Sequence, residues 1–315
     1  MVFRPSGSDT FAPNSMVGCD MVSDPEGQTP QVTDMLIALC NEVIRELPFE
    51  RQCAFARAIG YDGLEVAPFT LSDGPHLLPA ARRAELRLAA ADAGIAITGL
   101  HYLMLAPAGL SITSADAAQR ARTIDVMCRL CDLAADLGAK VLVHGSPAQR
   151  RLELGQEAEG RKRGAECFAA VAAAAEKAGV VYCIEPLAAP EANYINTVEE
   201  AGTIVRAIAN PALRTMVDCA AAGRAETQAI PELLGRWLPT GIIAHMHLND
   251  PNRRGPGEGA LAFAPILRAL ADGGYAGMAA VEPFVYEPDG PACAARAIGY
   301  VRGLLEASTR HPGRA

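Results

Sequence analysis

The stretch VVYCIEPLAAPEANYINTVEEAGTIVRAIANPALRTMVD, residues 180–218, contains two short apolar runs with an amphipathic segment between them. The runs VVYCIE and RTMVD are rich in Val, Ile and Thr, which is typical of strands that are buried on both faces of a sheet. Between them, Thr197 and Glu200 have the spacing of a capping box, which predicts a helix over TVEEAGTIVRAIAN. The stretch therefore predicts a strand, a helix and a second strand parallel to the first.

The same unit repeats along the chain from Met35 onward. Further apolar runs alternate with amphipathic segments, most of which close on glycine. The candidate strands are residues 36–42, 63–68, 95–101, 140–145, 180–185, 214–218, 242–248 and 278–283. Eight such units favour a closed barrel over an open doubly wound sheet, because no GxGxxG turn follows the first strand. We predict one (β/α)8 TIM barrel domain over residues 35–308, with a flexible arm at 1–34 and a tail at 309–315.

Composition excludes several kinds of partner and location. The net charge is −8 with no block of basic residues, which argues against nucleic-acid binding. No apolar run approaches the roughly 20 residues of a membrane helix, and residues 1–34 lack the pattern of a signal peptide. The nine cysteines lack framework spacing and indicate reduced thiols in a cytoplasm. Cys128 and Cys131 form a C-x-x-C inside a helical pattern, where buried small side chains are the better interpretation.

Polar residues end the last four predicted strands. Side chains at the carboxyl ends of barrel strands share one mouth, so these residues form a set: Glu185, Asp218, His247 and Glu282. Several carboxylates in an apolar mouth remain ionised most readily around a divalent cation, and oxygen ligands with one imidazole suit Mn²⁺, with Mg²⁺ or Co²⁺ as alternatives. The alternative is that each residue caps a strand or pairs with a nearby arginine.

Other polar residues of the barrel surround this set. His245 shares a strand face with His247 at a spacing of two residues, and we predict that it supports that histidine rather than binding the metal. Glu65, His101 and His144 end earlier strands, and we predict that they form a polar, substrate-binding wall opposite the metal.

Four motifs in order carry a family resemblance: CIEPLAAPEANYINT at 183–197, VDCA at 217–220, HMHLNDPNRRGPGEG at 245–259 and VEPF at 281–284. The chain resembles the xylose-isomerase-like sugar isomerase and epimerase superfamily, within it the D-tagatose and D-psicose 3-epimerase branch. The resemblance implies metal ligation by the residues Glu185, Asp218, His247 and Glu282. It also implies substrate contacts by Glu191 and Arg253.

The resemblance implies a metal-dependent ketose 3-epimerase that acts beside a carbonyl through a metal-stabilised enediolate. Glu185 and Glu282 would exchange the proton, and the subunits would form a dimer or tetramer. The chain departs from the branch at Ala221, where its members carry a substrate-binding histidine, and at Ala188 and Ala189, where many carry Asn-Arg. Aldose to ketose isomerisation therefore stays open, as does a lyase that removes a leaving group from a keto-sugar or C-glycoside. An endonuclease IV-like enzyme and a non-catalytic sugar-binding barrel are remote alternatives.

Overall fold

The predicted strands close into a barrel, which confirms the (β/α)8 fold. The computed structural model describes residues 35–189 and 191–309, so the predicted arm at 1–34 and residues 310–315 of the tail lie outside the described residues. Each strand pairs in parallel with the next, and the last pairs with the first. The strands are β1 (Ile37–Cys40), β2 (Gly63–Val66), β3 (Ala96–Leu100), β4 (Val141–His144), β5 (Val181–Ile184), β6 (Leu213–Asp218), β7 (Ile243–Leu248) and β8 (Ala279–Val281).

Helices surround the barrel and pack against the outer faces of its strands. In the described residues they are α1 (Phe49–Ala58), α2 (Ala80–Asp92), α3 (Ala117–Leu137), α4 (Glu157–Ala178), α5 (Val198–Ile208), α6 (Cys219–Ala225), α7 (Ile230–Trp237), α8 (Phe263–Asp272) and α9 (Gly290–Thr309). Two of them, α6 and α7, join β6 to β7, so that α6 begins directly where β6 ends at the mouth. Of the helices in the described part of the chain, none combines the length and apolar character needed to cross a membrane.

The predicted capping box at the start of α5 is present with one difference. The Thr197 hydroxyl accepts a hydrogen bond from the Glu200 amide at 3.2 Å, as the pattern requires. The Glu200 carboxylate accepts from the amide of Asn196 at 2.8 Å, one residue before the expected position. The helix still begins at the predicted place because both ends of the box satisfy free amide groups.

Several strands end earlier than predicted, so that polar residues lie just beyond them. The first ends at Cys40, and the residues Asn41–Ile44 turn in a short 3-10 helix. The Asn41 amide group explains this turn, since it donates to Gln52 and Thr70 and its oxygen accepts from the Ala67 amide at 2.7 Å. Glu185 and Glu282 likewise follow β5 and β8 directly. The strand ends thus bring a set of polar side chains to one mouth of the barrel.

Candidate metal centre

Four side chains from neighbouring strands converge at the mouth of the barrel. One ligand atom from each of Glu185, Asp218, His247 and Glu282 lies within 4.8 Å of those of the others, and all four residues are buried. His247 is central: its Nδ1 lies 2.8 Å from Glu282 Oε2, 3.8 Å from Asp218 Oδ2 and 4.0 Å from Glu185 Oε1. The structure therefore brings together the four residues that the sequence predicted as metal ligands.

The imidazole of His247 is oriented from its other side by Glu65. Its Nε2 lies 2.9 Å from Glu65 Oε1, and Nε2 of His245 lies 2.7 Å from the second oxygen, Glu65 Oε2. Burial acts to raise the pKa of Glu65, but the two imidazoles outweigh it and hold that pKa well below its usual value. An ionised Glu65 fixes the His247 ring with Nδ1 facing the carboxylates, which is how carboxylates orient metal-binding histidines. His245 thus contacts Glu65, its ring lies 5.1 Å from that of His247 in a T-shaped arrangement, and it is not one of the four clustered residues.

Asp218 is held in place by two residues that were not predicted for this role. Asn249 donates to Asp218 Oδ2 at 2.6 Å and to the main-chain oxygen of Glu282 at 3.1 Å. The other oxygen of Asp218 accepts from the Ala221 amide at 2.6 Å, which makes Asp218 the N-cap of α6. Asn249 lies two residues after His247 in the motif HLND, so its position at the strand end could have indicated this role.

Glu185 depends on two other residues that were not predicted. A Cβ at Gly145 would lie 1.6 Å from Glu185 Oε2, so only glycine leaves room for the carboxylate here. Arg150 is fully buried, and its guanidinium donates to the main-chain oxygens of Glu185 at 2.6 Å and of His144 at 2.8 Å. Arg150 thus links the ends of β4 and β5 through hydrogen bonds. No pattern in the sequence marks it, because its partners are main-chain atoms.

The charge balance of the cluster fits a divalent cation. Burial, followed by the carboxylates of Glu282 and Asp218, raises the pKa of Glu185 well above its usual value. Burial also raises the pKa of Asp218 and of Glu282. The atoms His247 Nδ1 and Glu282 Oε2 are buried without a hydrogen-bond partner in the described part of the chain. Crowded carboxylates and buried atoms of this kind are compensated by a bound cation, and three carboxylates with one imidazole suit Mn²⁺, Mg²⁺ or Co²⁺.

A cavity of about 250 Å³ opens above the cluster. Five residues that the sequence predicted for the site line it, namely Glu185, Glu191, Asp218, Arg253 and Glu282. The remaining walls include Tyr102, Pro147, Leu187, Ala221, Arg224 and Phe284. Aromatic and aliphatic side chains thus face the carboxylates across a space that is large enough for a small molecule.

Three residues predicted for the substrate wall lie deeper than expected. Glu65, His101 and His144 are fully buried, and none of them lines the cavity. His101 Nε2 lies 2.6 Å from Glu42 Oε2, and this carboxylate raises the His101 pKa to about 9 although burial acts in the opposite direction. His144 Nδ1 lies 2.8 Å from the Tyr182 hydroxyl. The structure therefore places these side chains beneath the cavity, where they contact protein atoms.

The two arginines of the cavity are held in different ways. Arg253 has φ of 70°, a left-handed conformation that is uncommon outside glycine, and its guanidinium lies 5.0 Å from the ring centroid of Phe284. Arg224 instead forms an ion pair with Glu191, at 2.9 Å between Nη1 and Oε1. Tyr102 also has positive φ, at 51°. Backbone strain of this kind is concentrated at functional sites, which agrees with the position of both residues in the cavity wall.

Residues 53–304 match the sequence profile of the family described as xylose isomerase-like TIM barrel. The chain belongs to this family. Similar proteins include the D-psicose 3-epimerase of Ruminiclostridium cellulolyticum, which is 32% identical over 126 residues, covering 39% of this chain and 41% of that protein. The D-psicose 3-epimerase of Agrobacterium fabrum is 27% identical over 231 residues, covering 72% of this chain and 76% of that protein. The predicted resemblance to the ketose 3-epimerase branch is therefore confirmed.

Solved structures show the same fold. The 3-keto-D-glucoside 4-epimerase of E. coli superposes with a TM-score of 0.73 at 18% identity, covering 85% of this chain and 99% of that chain. Sequence identity of 18% supports a shared barrel fold but no shared function. The alignment with the Ruminiclostridium relative spans less than half of that protein.

Proposed function

We propose that the protein is a divalent-metal-dependent isomerase of the ketose 3-epimerase type. The observation that carries the proposal is the position of two carboxylates, Glu185 and Glu282, that face one cavity from the ends of different strands. Both also belong to the buried cluster with Asp218 and His247. The similarity to D-psicose 3-epimerases supports this choice of reaction.

In the proposed reaction, Glu185 and Glu282 exchange the proton on the carbon next to the ketone. Because β5 and β8 lie three strands apart in the ring, the two carboxylates reach a bound sugar from different sides. One removes the proton from C3 and the other returns a proton to the opposite face, which inverts that carbon. An enediolate forms between these two steps. A proton returned to the adjacent carbon would instead give aldose to ketose isomerisation.

Glu185, Asp218, His247 and Glu282 are the proposed ligands of the cation, with Mn²⁺ as the first choice and Mg²⁺ or Co²⁺ as alternatives. A divalent cation supplies positive charge for the carbonyl and hydroxyl oxygens on which negative charge develops during proton removal. Glu65 holds His247 in the orientation that this role requires. Asn249 and the Ala221 amide do the same for Asp218.

The remaining cavity residues are the proposed substrate contacts. Arg253 lies over Phe284 and offers hydrogen-bond donors to sugar oxygens, while Glu191 offers acceptors. Tyr102 and Phe284 provide apolar surface for the carbon chain, as is usual in sugar-binding cavities. His101, His144 and Glu65 were predicted as substrate contacts, and from their buried positions we propose that they support the site from below.

The decisive experiment is isotope exchange with a free ketose. The protein is loaded with Mn²⁺ and incubated with D-psicose in D₂O, and C3 is followed by NMR. We expect deuterium at C3 together with formation of the C3 epimer, D-fructose. Chelation with EDTA should stop both processes, and added Mn²⁺ should restore them.

Other outcomes of this experiment have a direct meaning. A panel of free ketoses that shows neither exchange nor epimerisation at C3 would contradict the proposal. Release of a leaving group from a keto-glycoside, without epimerisation, would instead indicate the alternative reaction, that of a lyase. Exchange without loss of a leaving group would exclude that alternative for the sugar tested.

A further inference from the structure

The short helix α6 forms one wall of the cavity. Its N-cap Asp218 belongs to the buried cluster, and its residues Ala221 and Arg224 line the same cavity. Residues three apart in a helix lie on the same side, so Ala221 and Arg224 are neighbours on the surface that faces the substrate. The Ala221 side chain is a single methyl group, which leaves the space beside the Arg224 guanidinium open.

The guanidinium of Arg224 is fixed at three points. Its Nε donates to the main-chain oxygen of Ala220 at 3.0 Å. Its Nη1 and Nη2 donate to Glu191 Oε1 at 2.9 Å and to Oε2 at 3.3 Å. This fork is the geometry in which a planar guanidinium recognises a carboxylate, and a lysine ammonium cannot reproduce it.

The pair retains unused hydrogen-bonding groups. A guanidinium has five N–H donors and these contacts use three, so one donor remains on each of Nη1 and Nη2. The Glu191 carboxylate likewise has acceptor capacity beyond the two bonds that it receives. The side chains of Arg224 and Glu191 are 30% and 31% exposed, and ion pairs that are open to solvent contribute little to stability. The pair therefore does little for folding, but it presents donors and acceptors side by side at the cavity wall.

We propose that Arg224 determines substrate specificity, because its guanidinium, held by Glu191, binds hydroxyl groups of the sugar that take no part in the reaction. The Arg224 guanidinium can donate to one sugar hydroxyl while the Glu191 carboxylate accepts from the hydroxyl on the next carbon. The substrate class is thus a ketose with a free vicinal diol outside the reacting carbons. The inference rests on the proposed function, since it assumes a sugar bound above the carboxylates.

The test compares Arg224→Met with the unchanged protein on D-psicose and on its 4-deoxy, 5-deoxy and 6-deoxy forms. Methionine keeps an apolar stem of similar length and removes every donor. We expect kcat/KM of the unchanged protein to fall about 10-fold or more for at least one deoxy sugar, since hydrogen bonds to charged groups are worth this much. In Arg224→Met that penalty should shrink to within about 3-fold, while KM for D-psicose rises about 10-fold and kcat changes little.

Two further variants separate recognition from structure. Arg224→Lys retains the charge but not the fork, so it should lose most of the discrimination between hydroxy and deoxy sugars. Arg236→Ala removes another exposed arginine that pairs with a glutamate, Glu199, outside the cavity, and all kinetic constants should stay unchanged. Thermal unfolding of each variant checks that the fold is retained.

Calorimetric binding of D-psicose to the Mn²⁺-loaded protein separates failure of this inference from failure of the proposed reaction. Equal deoxy penalties in the unchanged protein and in Arg224→Met would overturn the inference even if epimerisation occurs. Weaker D-psicose binding by Arg224→Met, without turnover by either protein, would support the inference and contradict the reaction. Absence of binding by the unchanged protein would overturn both.

Discussion

A single buried carboxylate, Glu65, and a cluster of three buried carboxylates obtain their counter-charge from different sources in the same barrel. Glu65 lies between the imidazoles of His245 and His247, at 2.7 and 2.9 Å. The cluster of Glu185, Asp218 and Glu282 meets around the imidazole of His247, and Glu282 also lies 3.8 Å from that of His101. The pKa of Glu65 is lowered, whereas burial raises the pKa of each of the three others.

The difference indicates which group is structural and which one needs a ligand. A carboxylate with two imidazoles within 2.9 Å obtains its counter-charge from the protein itself. In the cluster, the imidazoles of His247 and His101 do not outweigh the effect of burial on three acids, and a divalent cation would supply the missing positive charge. His247 connects the two groups, because one ring nitrogen faces Glu65 and the other faces the cluster.

The largest expected effect is on turnover. Glu185→Gln and Glu282→Gln keep the size of the side chain but remove a proton-transfer group, so each should lower kcat by about 10²-fold to 10⁴-fold. Steady-state epimerisation of D-psicose measures the loss, and circular dichroism checks the fold. The exposed variant Glu199→Gln serves as control and should keep full activity. Activity near that of the unchanged protein in either cluster variant would contradict the two-carboxylate mechanism.

The second effect concerns stability and tests the compensation of Glu65. Glu65→Gln removes the charge that two buried imidazoles face, and breaking a buried charged network costs about 3–5 kcal/mol. Urea unfolding without metal measures the change in the free energy of unfolding. Glu199 also contacts two cations, Arg206 at 3.1 Å and Arg236 at 2.6 Å, but it is exposed. Glu199→Gln should therefore cost less than about 1 kcal/mol, and equal losses in the two variants would refute the comparison.

Metal addition should stabilise the protein through the cluster. At a Mn²⁺ concentration 100 times the dissociation constant, linkage adds about 2.7 kcal/mol to the free energy of unfolding. Differential scanning calorimetry with Mn²⁺ and with EDTA measures this shift. Asp218→Ala should lose most of it, whereas the surface variant Glu287→Ala should retain it. A shift of the same size in Asp218→Ala would mean that the ion binds elsewhere.

The smallest expected effect concerns Asn249, which holds a proposed ligand without touching the metal. Asn249→Ala should weaken Mn²⁺ binding by about 10-fold to 100-fold, since residues that orient ligands have effects of this size. Calorimetric titration measures the affinity. Asn210→Ala removes an amide that pairs with Glu176 on the surface and should leave the affinity unchanged. Unchanged affinity in Asn249→Ala would show that Asp218 needs no such support.

Much of the site could be predicted because strand ends are visible in the sequence. Apolar runs that end in Glu185, Asp218 and Glu282 identify side chains that must share one mouth in a parallel barrel. Arg150 could not be predicted in the same way. It acts through hydrogen bonds to main-chain oxygens at the ends of two strands, which no local pattern records.

Depth along the barrel axis was the other property that the sequence did not reveal. The sequence places Glu65, His101 and His144 at strand ends together with Glu185 and Glu282. In the structure these three residues lie beneath the cavity and pair with protein atoms. Alternation along a strand determines which face a side chain takes, but strand tilt and register determine its height in the mouth. A residue's position in its own strand is therefore insufficient to separate a ligand from a supporting group.

The sequence by itself determined the barrel and the set of residues at its mouth, because hydrophobic runs and the residues that end them are local properties of the chain. Only the tertiary structure decided which acids are compensated internally. Glu65 and His247 are 182 positions apart and lie 2.9 Å from each other, whereas the three acids Glu185, Asp218 and Glu282 meet around the other side of the same imidazole. Electrostatic interaction depends on distances of this order in a buried environment, and those distances exist only once the eight strands have closed.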